Sequence, residues 1–218
     1  MQCGRSARAA RKDRKDISMN IYLIRHGETA KNREKRLQGR SNTPLNENGH
    51  LQSGKARDFF EQQGIRFDRV YSSPLTRAVE TAGIIAGADA EIITGERLQE
   101  MDYGPYEGCT LENPAPELIR FFSDFVHNPA PEGMESLDHV TQRLGEFLEE
   151  IGKEGHQNVL ISTHAIAMKG ALEYLTPASG GSYWSKYIGN CGIYRAEYSG
   201  GLFSPPAEIF SLGYEPGV

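Results

Sequence analysis

The chain has little cysteine, no long apolar run and no cluster of metal-binding residues. Its three cysteines, Cys3, Cys109 and Cys191, are far apart and odd in number. That argues against a disulfide framework or a cysteine zinc site and fits a reducing cytoplasm. No stretch approaches the roughly 18–20 apolar residues that span a bilayer, so no membrane partner is expected. There is no His-x-x-x-His pair, no paired cysteine motif and no acidic cluster at ligand spacing, so the sequence implies no metal and no cofactor. A Gly-x-x-x-x-Gly-Lys-Ser/Thr nucleotide loop is also missing, as are internal repeats and low-complexity segments.

Charge is unevenly placed. The net charge over 218 residues is −5. Residues 1–18 carry six Lys/Arg against two Asp, leaving 18 basic and 27 acidic residues for the remainder. An acidic body does not suit nucleic acid. A site for an anion must be a local positive focus. Met1–Ser18 has no apolar periodicity and lacks the apolar centre of a secretory signal. It reads as a disordered basic extension, with Met19 a candidate start and residues 19–218 a single domain. Removing residues 1–18 is expected to leave catalysis intact, which a turnover assay on the truncated chain checks.

What remains alternates strand and helix. Ile21–Ile24 reads as a buried strand. Residues 43–49 are turn-rich, and helical residues follow to about Gln63, ended by Gly64. Phe67–Tyr71 and Glu91–Thr94 read as strands. Between them a helix is expected to start around Pro74, with Leu75, Val79, Ala82 and Ala86 at helical spacing. Residues 114–127 read as helical. Ser136 is expected to cap a long helix whose apolar stripe is Val140, Leu144, Phe147, Leu148 and Ile151. Asn158–Ile161 is a strand, Ala165–Leu175 a helix closed by Pro177, and Cys191–Tyr198 a late strand at an edge. This order predicts an α/β sandwich with a mostly parallel sheet. Ligands bind such sheets beyond the carboxyl ends of their strands, where His26, Ser72 and His164 fall.

Arg25-His26-Gly27-Glu28-Thr29 follows the first strand directly. An imidazole beside a fixed positive charge is a plausible nucleophile toward phosphate, because the guanidinium neutralises the oxyanion that would repel the attacking lone pair. Gly27 lets the backbone turn and a ligand approach. Arg77, in the first turn after Pro74, is a second candidate for holding phosphoryl oxygens with its planar fork of donors.

Four segments, Arg25–Thr29, Ser72-Ser73-Pro74-Leu75-Thr76-Arg77, Glu100-Met101-Asp102-Tyr103-Gly104 and Ser162-Thr163-His164-Ala165, together resemble the histidine phosphatase superfamily, which includes cofactor-dependent phosphoglycerate mutase. The resemblance runs from about Asn20 to about Tyr198. It implies a three-layer α/β/α sandwich and a phosphohistidine formed at His26. It further implies that Arg25 and Arg77 clamp the phosphoryl group, that His164 donates a hydrogen bond to it, and that Asn32 reaches it as a neutral donor. Glu100, which matches the family glutamate before x-x-Tyr-Gly, becomes the general acid. Glu28, Asp102 and Glu107 are the competing carboxylates; Glu28 reads as structural and Glu107 as a loop anchor. Substrate selection is expected from Leu37, Gln38, Gly39, Tyr103, Tyr106 and residues 109–127.

The segment between Glu100 and His164 is compact, whereas the resembled mutases carry a longer insertion there. Pro131-Glu132-Gly133-Met134-Glu135-Ser136, with Arg143 beyond, is similar to the small phosphatase branch of α-ribazole and broad-specificity phosphatases. Met134 departs from it, standing where a second glycine is usual. The expectation is a phosphomonoesterase acting on small phosphate esters, monomer or homodimer. A phosphoglycerate mutase and a silent phospho-ligand binder on the same fold remain the alternatives.

Overall fold

The computed structural model describes residues 18–213. The expected disordered extension lies outside the described residues, apart from Ser18. In chain order the elements are β1 (Met19–Arg25), α1 (Ala30–Arg33), α2 (Glu47–Gln62), β2 (Arg69–Ser72), α3 (Thr76–Ala86), β3 (Ile92–Thr94), α4 (Pro116–Ser123), α5 (Leu137–Ile151), β4 (Asn158–Thr163), α6 (Ala165–Leu175), β5 (Ile193–Ser199), β6 (Leu202–Phe203) and β7 (Ala207–Phe210). The strands form one sheet in the order β3-β2-β4-β1-β5-β6, with β7 also paired to β5.

β1 to β4 run parallel to one another, while β5 is antiparallel to β1, β6 and β7. The late strand is therefore interior rather than at an edge: the short β6 and β7 return beside it and cover it. It also begins at Ile193, because Cys191 holds a left-handed backbone (φ 55°).

The alternation along β1 makes the three layers. Ile21 and Leu23 face one side, against Val140, Leu144 and Leu148 of α5 and Met168 and Leu172 of α6. Tyr22 and Ile24 face the other, against Ala56 and Phe60 of α2 and Ala82 and Ile85 of α3. The predicted α5 stripe is buried throughout, each such side chain contributing about 1.5–3 kcal/mol. Ser136 caps α5 as expected, accepting from His139 N at 3.2 Å. Asn46 caps α2 through Gly49 N at 2.8 Å.

Helix α1 was not expected, α2 begins inside the stretch read as turn, and two further helices differ in their bounds. α3 starts at Thr76, two residues late, because its first N–H is satisfied by the Asn42 side chain at 2.7 Å, while Ser73 is engaged elsewhere. α4 spans only Pro116–Ser123: Asp124 turns extended and its carboxylate accepts from the Val126 and His127 N–H groups, which competes with further helix. Among the described residues no helix is long and apolar enough to cross a membrane.

Sheet register sets the site. Arg25 pairs with Thr163, and Ser72 pairs with Ser162. His26, Ser73 and His164 therefore leave three neighbouring strands at nearly the same level. His26 N is tied to Thr163 O at 3.0 Å and Ser73 N to Ser162 O at 2.9 Å.

Candidate active site

Arg77 is the centre of this edge. It is fully buried, at the second position of α3. Its Nε lies 3.2 Å from His26 Nε2 and 3.2 Å from His164 Nδ1, so one N–H serves both imidazoles. The two rings meet edge to face with centroids 5.1 Å apart. The other guanidinium nitrogens donate to backbone carbonyls, NH1 to Ser41 O at 2.7 Å and NH2 to Gly39 O at 2.8 Å. Burial pulls Arg77 down to about 10, opposed by Glu100 and Glu107.

The His26 tautomer follows from its partners. Nδ1 lies 2.6 Å from Gly27 O, an acceptor, so Nδ1 carries the proton. Nε2 then holds the lone pair, on the side where Arg77 sits. Burial first, then the charges of Arg77 and Arg25, hold this imidazole well below its ordinary value, with the Gly27 carbonyl opposing. A neutral, oriented imidazole beside two guanidinium groups is a nucleophile arrangement for an anionic electrophile.

Gly27 has a different reason from the one read in the sequence. A Cβ there would stand 2.5 Å from Gly49 O, so it is helix α2, rather than a ligand, that approaches closely. Glu28 is structural, accepting from Asn46 Nδ2 at 2.7 Å. Arg25 is half-buried and not bonded to either histidine. Its NH1 donates to Ile188 O at 2.6 Å, and its buried Nε has no partner among the described residues.

Glu100 is buried at the N-terminus of α6, the helix whose cap residue is His164. Its Oε1 accepts from Met101 N and Ala167 N, each at 2.9 Å. Among the described residues Oε2 accepts only from Ile166 N, at 3.2 Å, and is the less committed oxygen. Asp102 is exposed and accepts from Gly104 N.

The substrate-side residues divide. Asn32 closes a capping box with Thr29: its Oδ1 accepts from Thr29 N at 3.1 Å, which commits the carbonyl end of the amide. Gln38 is buried; its Oε1 accepts from Thr29 Oγ1 at 2.7 Å, and its buried Nε2 has no partner among the described residues. Gly39 contributes its carbonyl to Arg77, and a Cβ on it would stand 2.6 Å from Met101 O. Tyr103 is buried, and burial pushes its phenol well above the ordinary value. Glu107 anchors the same loop through Gly39 N at 2.9 Å, as read in the sequence.

Sequence reasoning missed three supports. The Gly39 and Ser41 carbonyls that aim Arg77 are backbone groups and carry no residue-type signal. Glu135 ties the loop carrying Arg40 to α5, accepting from Arg143 Nε at 2.7 Å with Arg40 NH2 3.5 Å away. Burial alone would raise the Glu135 carboxyl, but its Arg143 partner and its other contacts hold it low. Lys169 is buried on α6, donating to Trp184 O at 2.7 Å with its Nζ 5.1 Å from the Phe125 ring centre. Its signal was a single cation in the largely apolar helix AIAMKGALEYL, whose other charge is Glu173. Among the described residues no group of three or more His, Cys, Asp or Glu could hold a metal ion.

The family model for the histidine phosphatase superfamily (branch 1) matches residues 21–205. A relative in Hydrogenobacter thermophilus, whose provisional name is phosphoserine phosphatase 2, is 31% identical over 186 residues, 83% of this chain and 90% of its own. Phosphoglycerate mutase-like protein 4 of Arabidopsis thaliana is 31% identical over 178 residues, covering 78% of this chain and 77% of its own. Among solved structures, a phosphoserine phosphatase mutant from Entamoeba histolytica in complex with phosphoserine superposes with a TM-score of 0.73 at 27% identity, over 88% of this chain and 95% of that one.

Proposed function

Because the chain belongs to the histidine phosphatase superfamily (branch 1), we propose that it is a phosphomonoesterase that hydrolyses small-molecule phosphate esters through a phosphohistidine at His26. The observation that carries this reading is the single Arg77 N–H set between His26 Nε2 and His164 Nδ1. A phosphoryl oxygen entering there meets a guanidinium, and its phosphorus meets the His26 lone pair. Arg25 adds charge, and the unpartnered Arg25 Nε and Gln38 Nε2 are buried donors suited to an oxyanion.

In the first step Nε2 attacks phosphorus in line, the P–N bond forms and the P–O ester bond breaks. The leaving alkoxide takes a proton from Glu100, with Oε2 the oxygen free to carry it. In the second step the same carboxylate takes a proton from water, whose oxygen displaces the imidazole from phosphorus. His164 donates to the phosphoryl oxygens, and Asn32 and Tyr103 border the ester. The described cysteines, Cys109 and Cys191, are free thiols, which supports a reducing cytoplasmic setting.

Phosphoserine is the first ester to try, since the Entamoeba histolytica relative binds it. The likeness to the Arabidopsis thaliana protein favours a second reading, a phosphoglycerate mutase. Phosphate release measured over a panel of monoesters, with and without EDTA, separates the two. We expect steady phosphate release, little changed by EDTA. With 3-phosphoglycerate and 2,3-bisphosphoglycerate present, 2-phosphoglycerate forming faster than phosphate would overturn the phosphatase reading.

A further inference from the structure

A neutral His164 can donate to a phosphoryl group only from a nitrogen that bears hydrogen, and its surroundings present a conflict over which one does. Nδ1 lies 3.2 Å from Arg77 Nε, a donor, so here Nδ1 accepts. The ring proton is then on Nε2, 2.8 Å from Ser73 Oγ. In that tautomer no N–H faces the site. Protonating the ring is opposed by burial and by the Arg77 charge, which hold His164 well below the ordinary value.

Ser73 is fully buried, and its backbone is pinned to Ser162 O on the next strand. Its Oγ also accepts from Leu75 N at 3.3 Å. With two donors already on that oxygen, the hydroxyl hydrogen has no acceptor among the described residues. A hydroxyl can equally donate. If it donates to Nε2, the ring proton must sit on Nδ1, where it opposes the Arg77 N–H. Each arrangement thus leaves one group unsatisfied while Arg77 keeps its hydrogen bond to His164.

We propose that Ser73 is a positioning residue that sets the His164 tautomer. Its hydroxyl accepts from Nε2 in the free site and donates to Nε2 once a phosphoryl oxygen takes the Arg77 N–H, so that Nδ1–H is presented to the phosphoryl group. The exchange keeps the ring neutral: the proton lost at Nε2 is matched by the one gained at Nδ1, and because His164 and Ser73 are both fully buried, both are traded with bulk solvent only as the site opens to admit the phosphoryl group. The inference rests on the reading of His164 as a phosphoryl donor.

The test combines phosphoserine hydrolysis with nitrogen NMR of His164. Ser73→Ala should lower kcat by about 10- to 100-fold, the worth of one hydrogen bond to a charged group, whereas Ser73→Thr, which keeps the hydroxyl, should retain most activity. In a His164→Ala background the further loss from Ser73→Ala should stay within about twofold, because both residues act as one unit. In the unaltered protein, adding inorganic phosphate should move the protonated nitrogen from Nε2 to Nδ1, a measurement that needs no variant. An unmoved proton, a fully active Ser73→Ala or an additive loss in the double variant would overturn the proposal. If His26→Ala and His164→Ala are inactive while Ser73→Ala is unaffected, only this inference fails. If those two histidine variants remain fully active, the phosphohistidine reading fails with it.

Discussion

His26→Ala should lower kcat/KM by about 10⁴- to 10⁶-fold, the range seen when a covalent nucleophile is removed, while the protein stays folded. The proposed nucleophile is held by two contacts on its ring and one on its backbone. Gly27 O holds the proton on Nδ1, Thr163 O holds the backbone, and Arg77 marks the lone-pair side of Nε2. Alanine removes the lone pair and leaves the fold's hydrogen bonds largely intact, so activity and melting temperature should part company. The depressed basicity of His26 adds a pH signature. Nε2 stays unprotonated below the ordinary imidazole value of about 6.5, so kcat/KM should hold level through pH 6.5 and fall only in more acid solution. The stability sign runs the same way: the unfolded chain binds the proton more readily, so stability present above about pH 6.5 is lost as the pH falls below it. His26→Ala should therefore lose less melting temperature than the unaltered protein between pH 7 and pH 5. Residual turnover near the original rate would end the phosphohistidine mechanism.

The strand ends were legible because they depend on local pattern. The strands stop at Arg25, Ser72 and Thr163, and the next polar residue in each is a candidate site residue. The Ser136 cap was legible for the same reason, whereas the Asn46 cap lies inside the stretch that read as turn. What was hidden depends on partners distant in the chain. The burial of Arg77 at an exposed-looking helix start comes from the Gly39 and Ser41 carbonyls. The late start of α3 comes from Asn42, and the reason for Gly27 comes from Gly49 in α2. The interior place of β5 depends on two short strands, β6 and β7, too brief to show a period. For Glu100 the motif named the residue, but not that three backbone N–H groups would hold it at the start of α6. Residue types thus pointed to the proposed chemistry, while long-range backbone contacts set the geometry of its residues.

Arg77→Lys should lower kcat/KM by about 10³-fold or more, comparable to losing an arginine that stabilises a transferring phosphoryl group, although the charge is kept. The guanidinium acts in three directions at once: Nε toward both imidazoles, NH1 to Ser41 O and NH2 to Gly39 O. A lysine ammonium is a point donor on a flexible stem and cannot hold two loop carbonyls while facing two ring nitrogens. The loss should appear mainly in kcat, since the clamp matters most as charge develops on the phosphoryl oxygens. Stability should respond differently. Holding Arg77 charged in the interior, where it is pulled down to about 10, opposes folding by on the order of 3 kcal/mol. Removing the charge in Arg77→Met relieves that term but leaves two carbonyls without their donor, each worth about 1–3 kcal/mol. These contributions oppose one another at similar size, so the melting temperature of Arg77→Met should stay within a few degrees of the unaltered protein while activity collapses. A melting temperature lowered by more than about 10 °C would instead mean that Arg77 chiefly holds the fold, and that its place between the two histidines is incidental to phosphoryl transfer.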